Sequence, residues 1–114
     1  MKTSDNDEVS YAARVMFVNR QKIEADLQRA AQELAPAVVR IRYSFEDDWT
    51  GDPSIFFRVV LADEVAYGPH LGETARRIRT KLDDEIRPDE HGLNAYFKFR
   101  SLSEQTDYKD PAWL

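Results

Sequence analysis

Apolar residues recur at every third or fourth position in two stretches of the chain, and this spacing predicts two amphipathic helices. Proline cannot continue a helix, so we expect the helices to end just before Pro36 and Pro88. In the first stretch, residues 19–35, the apolar positions are Ile23, Leu27, Ala30 or Ala31, and Leu34. In the second, which opens at Gly68-Pro69, they are Leu71, Ala75, Ile78, Leu82 and Ile86.

Three shorter stretches alternate between apolar and polar residues, which predicts β-strands over residues 38–45, 54–62 and 93–100. The segment 46–53 between the first two is rich in turn residues, so these strands should form an antiparallel hairpin. The second helix should be the crossover that brings the third strand alongside. We assign these residues to the apolar faces: Val39, Ile41, Tyr43, Phe45, Ile55, Phe57, Val59, Leu61, Leu93, Ala95, Phe97 and Phe99.

The predicted order is therefore α-β-β-α-β, an α+β fold in which both helices cover one face of the sheet as a two-layer sandwich. Residues 9–18 leave one alternative open. Their apolar spacing continues the first helix, but a strand over residues 11–18 would give the ferredoxin-like order β-α-β-β-α-β. We expect a frayed or disordered N-terminus over 1–8, one domain over 9–102, and a polar tail over 103–114 whose Trp113-Leu114 end docks on the domain.

Composition narrows the functional classes. A chain of 114 residues supports one domain, and the absence of cysteine excludes disulfides, thiolate metal sites and cysteine nucleophiles. No signal-peptide pattern or membrane-length apolar run occurs, so we expect a soluble, cytoplasmic protein. No motif indicates catalysis, a cofactor or a metal. The loop carboxylates match no calcium loop; they are Glu46, Asp47, Asp48 and Asp52.

The face of the sheet away from the helices carries the candidate binding surface. Five cations and two aromatic residues alternate onto it, and a tryptophan lies in the neighbouring hairpin loop, although the whole chain has a net charge of −5. These residues are Arg40, Arg42, Arg58, Lys98, Arg100, Phe56, Tyr96 and Trp49. The surface predicts a small non-catalytic module that binds a protein partner or forms a homodimer. The alternative is binding of single-stranded nucleic acid by the same residues.

Apolar residues on this open face favour pairing between two copies. Val38, Phe56 and Val60 should be partly bare, and a second sheet would cover them.

Two RNA-binding folds with a similar order of elements, the KH and RRM folds, are not matched by the sequence motifs of this chain. Three residues, instead of the two of a KH Gly-x-x-Gly loop, separate Gly68 from Gly72, and we place this segment before a helix, not between two. Among residues 54–58, only Phe56 is an outward aromatic of the kind an RRM uses. We assign no family.

Overall fold

A computed structural model describes residues 20–108 and 111–113 of the chain. Within these residues, the predicted α+β fold class is confirmed. The elements are α1 (20–34), β1 (Val38–Asp47), β2 (Pro53–Leu61), α2 (Asp63–Ala66), α3 (Leu71–Ile86), β3 (Asn94–Ser101) and α4 (Leu102–Tyr108), with 3-10 turns at Pro88–His91 and Pro111–Trp113. The expectations for residues 1–8, for the choice between helix and strand at 9–18, and for Leu114 concern positions outside the described residues.

The three strands form one sheet in the order β1-β2-β3. β1 and β2 are antiparallel, and β2 and β3 are parallel, as the predicted hairpin and crossover require. The central strand therefore carries the most buried side chains, and Ile55, Phe57 and Val59 have no exposed surface.

The core lies between the inner face of the sheet and two helices. α1 and α3 contribute to the same apolar cluster as the strands, through Ile23, Leu27, Ala30, Leu34, Ile78, Leu82 and Ile86. Burial of each large side chain stabilises the fold by about 1.5–3 kcal/mol gross. Outside this cluster, ion pairs link the two helices: Arg29 lies 3.1 Å from Glu85, and Lys81 pairs with Glu33. The predicted helix layer is thus present on one face.

The predicted orientations of Val38, as partly bare on the outer face, and of Val39, on the inner face, were wrong because β1 contains a bulge. Val38 pairs with Leu61 and Arg40 with Val60, so Val39 is an extra residue on the β1 side. Val38 therefore joins the core at 4% exposure, whereas Val39 is 44% exposed. Beyond the bulge the alternation follows the prediction.

The segment before α3 also differs from the prediction. A short helix, α2, precedes it, so Gly68 lies in the connection between two helices and Gly72 lies in the first turn of the second. A Cβ atom on Gly68 would overlap the carbonyl oxygen of Glu64. The backbone approaches so closely at this position that only glycine fits. Leu71, expected in the apolar stripe, is 37% exposed because it begins α3 beyond the edge of the core.

The C-terminal segment is not simply a polar tail. Ser101 and Glu104 form a capping box that starts α4, since each side chain bonds the backbone N–H of the other at 3.0 Å. Trp113 then packs against β2 and is only 4% exposed. This cover explains why Val60 is buried, contrary to the expectation that it would be bare.

Candidate binding surface

Strand register arranges the outer face of the sheet into rows that run across β1, β2 and β3. Each row contains one residue from each strand, because both pairings keep these residues directly opposite each other. From the hairpin end, the four rows are Glu46-Ser54-Asn94, Ser44-Phe56-Tyr96, Arg42-Arg58-Lys98 and Arg40-Val60-Arg100. Seven of the eight candidate residues named from the sequence thus fall into three adjacent rows, and the eighth, Trp49, lies in the hairpin loop.

The third row is a cation row: Arg42, Arg58 and Lys98. Like charges directly opposite each other on a sheet are destabilising. The side chain of the central residue, Arg58, is only 13% exposed, and its charge is offset by Glu46 of the first row. Arg58 donates from Nη1 to the Ser44 hydroxyl at 2.8 Å and from Nη2 to Glu46 Oε2 at 3.3 Å.

Glu46 is therefore held in its charged form. The Ser44 hydroxyl, which donates to it at 2.7 Å, and then Arg58 lower the pKa of this carboxyl below its usual value. Arg42 and Lys98 remain exposed on either side of Arg58. The row thus presents two cations at the surface around a neutralised centre.

An aromatic stack lies beside the cation row: Phe56, Tyr96 and Trp49. The rings of Phe56 and Tyr96 are stacked, with centroids 5.0 Å apart and planes at 22°. Trp49 reaches back from the hairpin loop to within 5.2 Å of the Tyr96 centroid, yet it remains 80% exposed. Lys98 Nζ lies 5.8 Å from the Phe56 centroid, which joins the stack to the cation row.

The hairpin loop that carries Trp49 is organised by the buried carboxylate of Asp48, which is 8% exposed. Its Oδ1 accepts bonds from the Thr50 hydroxyl at 2.6 Å, the Thr50 N–H at 2.9 Å and the Asp52 N–H at 3.0 Å. Gly51 completes the turn with a φ of 88°, a region that favours glycine. One side chain thus sets the loop conformation.

The other oxygen of Asp48 binds the loop to β3. Its Oδ2 accepts bonds from the Tyr96 hydroxyl at 2.8 Å and from Asn94 Nδ2 at 3.2 Å. The Thr50 hydroxyl makes the largest contribution to lowering the pKa of Asp48, and Tyr96 adds to it. In turn, the bond to Asp48 raises the pKa of Tyr96. Trp49 therefore projects from a loop that is bonded to the sheet beneath it.

Two of the sequence-predicted cations contact the C-terminal segment. Arg40 Nε donates to the Trp113 carbonyl at 3.1 Å, and the guanidinium carbon of Arg100 lies 4.4 Å from the Trp113 ring centroid. Arg100 also donates to Gln105 at 3.2 Å. The fourth row of the outer face is therefore covered, and the open part begins at the cation row.

The structure brings together six of the eight candidate residues in the cation row and the aromatic stack, and it places Arg40 and Arg100 under Trp113. Sequence reasoning treated Asp48 as an ordinary turn residue, although the Asp-x-Thr spacing is a signal for a side chain that bonds the backbone two residues on. Among the residues that the structure describes, no group of three or more His, Cys, Asp or Glu residues could hold a metal ion.

No protein-family model, curated protein or solved structure gives a significant match to this chain. Of the helices in the described ranges, none has both the length and the apolar character needed to cross a membrane.

Proposed function

We propose that this chain is a small non-catalytic module that binds a protein partner through the aromatic stack and the cation row. The observation that carries the proposal is Trp49, a large apolar side chain that is 80% exposed while its loop is bonded to the sheet through Asp48. An ordered, exposed tryptophan beside tyrosine and arginine is typical of the residues that dominate binding energy at protein interfaces.

The cation row supports the same proposal. Arg58 stands directly opposite Arg42 on one side and Lys98 on the other, a placement of like charges that costs stability and that Glu46 offsets at the central guanidinium. Local rules of this kind are most often broken at functional sites. An acidic side chain of a partner would be attracted to the exposed Arg42 and Lys98 on either side of Arg58.

The carboxylates of the hairpin loop favour a protein over a nucleic acid. Glu46, Asp47 and Asp52 are all exposed in or beside the loop that carries Trp49. A base stacked on Trp49 would bring its phosphates towards these negative charges, whereas a protein can present a cation to them. Nucleic acid remains the second candidate, because Phe56 and Tyr96 beside a cation row also form a stacking platform.

The test compares partner recovery by the wild-type chain and by Trp49→Ala and Lys98→Glu variants, with Asp47→Asn as the control on the same loop. We expect one protein to be recovered in stoichiometric amount by the wild type and the control and lost from both variants. Recovery that is unchanged by Trp49→Ala would overturn the proposal.

A titration with a labelled single-stranded oligonucleotide at low and at higher salt separates the two candidates. We expect no saturable binding. Binding that saturates, weakens with salt and disappears in Lys98→Glu would instead support the nucleic-acid function.

A further inference from the structure

Strand β1 lies at the edge of the sheet and pairs only with β2 within residues 20–108 and 111–113. An edge strand presents a row of backbone N–H and C=O groups that can pair with another strand. β1 is ten residues long, and its bulge is confined to the Val38–Arg40 end. The regular part, residues 41–47, is long enough to pair with a further strand.

The charges along β1 are distributed asymmetrically. Arg40 and Arg42 occupy its first half, and Glu46 and Asp47 its second half. When such a strand pairs with a copy of itself in the antiparallel direction, the basic half of each copy faces the acidic half of the other. The charge pattern of this edge is therefore complementary to itself.

We propose that two copies of this chain pair antiparallel through β1, with the two-fold axis at Ser44. In this register Arg42 of each copy lies opposite Glu46 of the second copy, and Tyr43 lies opposite Phe45 of the second copy. The proposal goes beyond the partner-binding surface, because it concerns the edge of the sheet and names a second copy as its occupant.

This register also keeps the two layers of each copy aligned. Tyr43 and Phe45 both point to the helix side, where both are half-buried, so their opposition would bury the remaining surface of each ring. A shift by one residue would place inner residues opposite outer ones and put the helices of the two copies on opposite faces. The two-fold axis makes both Arg42–Glu46 contacts equivalent.

Among residues 20–108 and 111–113, a groove lies beside this edge on the helix side. The groove, of about 610 Å³, runs between α1 and β1 and is lined by Arg20, Ile41 and Tyr43 among others. In the proposed register Asp47 of the second copy lies opposite Ile41, at the groove that contains the Arg20 guanidinium. Arg20 is already paired with Glu24 in the same groove, with Nε 3.4 Å from Oε1, so the groove gives the second copy room, and the charge complementarity of the pairing comes from Arg42 and Glu46.

The opposite edge of the sheet lacks this property. β3 carries Lys98 and Arg100 and no acidic residue over Asn94–Ser101. Antiparallel self-pairing of β3 would leave both cations without an opposite charge. Of the two edges, β1 is thus the one suited to a second copy.

Charge-swapped variants test the register directly, with the mass in solution measured by light scattering over a concentration series. We expect a wild-type dimer and an affinity loss of about 100-fold in Arg42→Glu, since like charges then face each other twice. Glu46→Arg should behave likewise. An equimolar mixture of the two variants should form a heterodimer, because both contacts between position 42 of one copy and position 46 of the other then join opposite charges.

Lys98→Glu is the matched control, since it reverses a charge in the same row on the other edge. It should remain dimeric even where it loses the protein partner, which separates this proposal from the proposed function. A wild type that stays monomeric at every concentration, or variants that both remain dimeric, would overturn the β1 pairing.

A cross-linking experiment keeps the test decisive if a charge variant does not fold. The chain has no cysteine, and directly opposite residues in an antiparallel pair have Cα atoms within the range of a disulfide. Under mild oxidation Ser44→Cys should form a covalent dimer quickly, whereas Lys98→Cys should not. Equal rates for the two variants would refute the proposed axis.

Discussion

The Tyr96 hydroxyl donates a 2.8 Å hydrogen bond to the carboxylate of Asp48, although 48 positions separate the two residues in the chain. This bond joins the hairpin loop, which connects β1 and β2, to β3 at the other edge of the sheet from β1. It also explains how Trp49 can be exposed on a loop that is bonded to the sheet. The position of the candidate binding surface thus depends on a carboxylate that is itself buried.

Replacement of Asp48 by asparagine should destabilise the protein and release the loop. The asparagine amide can accept at one atom only, so its NH₂ group would meet Asn94 Nδ2 donor to donor. We expect a lower thermal midpoint and faster amide exchange at Thr50 and Asp52. Asp47→Asn, at the exposed neighbouring position, should leave both quantities unchanged, and equal effects of the two substitutions would contradict this assignment.

Acid unfolding should depend on the same residue. Because the folded-state pKa of Asp48 is lowered, the charged carboxylate stabilises the native state above its unfolded-state pKa of about 4. This contribution is lost as the pH falls below that value towards the folded-state pKa. The difference in unfolding free energy between wild type and Asp48→Asn should therefore shrink below about pH 4. A difference that does not change with pH would contradict the prediction.

The two tryptophans provide a matched pair. Trp113 is 4% exposed and Trp49 is 80% exposed. Trp113→Ala should lower the unfolding free energy by about 3 kcal/mol through the cavity it leaves. Trp49→Ala should change it by no more than about 0.5 kcal/mol. Denaturant unfolding measures both, and comparable losses would argue against the docked C-terminal segment.

Substitution by alanine should change the stability of the protein in opposite directions at Gly68 and at Gly72. A Cβ on Gly68 would overlap the Glu64 carbonyl oxygen, so Gly68→Ala should cost about 1–3 kcal/mol. Gly72 lies within α3, and a Cβ there meets nothing within 4 Å. Gly72→Ala should therefore stabilise the protein by up to about 1 kcal/mol. Thermal unfolding of both variants distinguishes the two environments.

Much of the sheet could be predicted from the sequence because its signal is local. Alternation along residues 54–62 and 93–100 placed Arg58 and Lys98 on one face and Phe57 and Phe97 on the other, and the structure agrees. The bulge at Val39 left no such signal, since it depends on how β1 meets β2.

The C-terminal segment illustrates what a periodic pattern misses. α4 has no apolar stripe, so periodicity did not predict it, although the Ser101–Glu104 capping box was present in the sequence. Likewise, among the four carboxylates of the hairpin loop, the Asp-x-Thr spacing marks Asp48 as a side chain that bonds the nearby backbone. Its bonds to β3 have no local signal, because they depend on the parallel pairing of β2 with β3, which brings Asn94 and Tyr96 beside the loop.

The mixed sheet has a consequence for the order of folding. A hairpin between neighbouring segments closes a short loop, whereas the β2–β3 pairing must await a crossover of 32 residues between Leu61 and Asn94. Asp48 thus acquires its bonds to the last strand only when that slow, non-local contact is made. Nascent or partly folded chains would present the Trp49 loop without its anchor, so recognition that depends on a rigid tryptophan selects for chains that have completed folding.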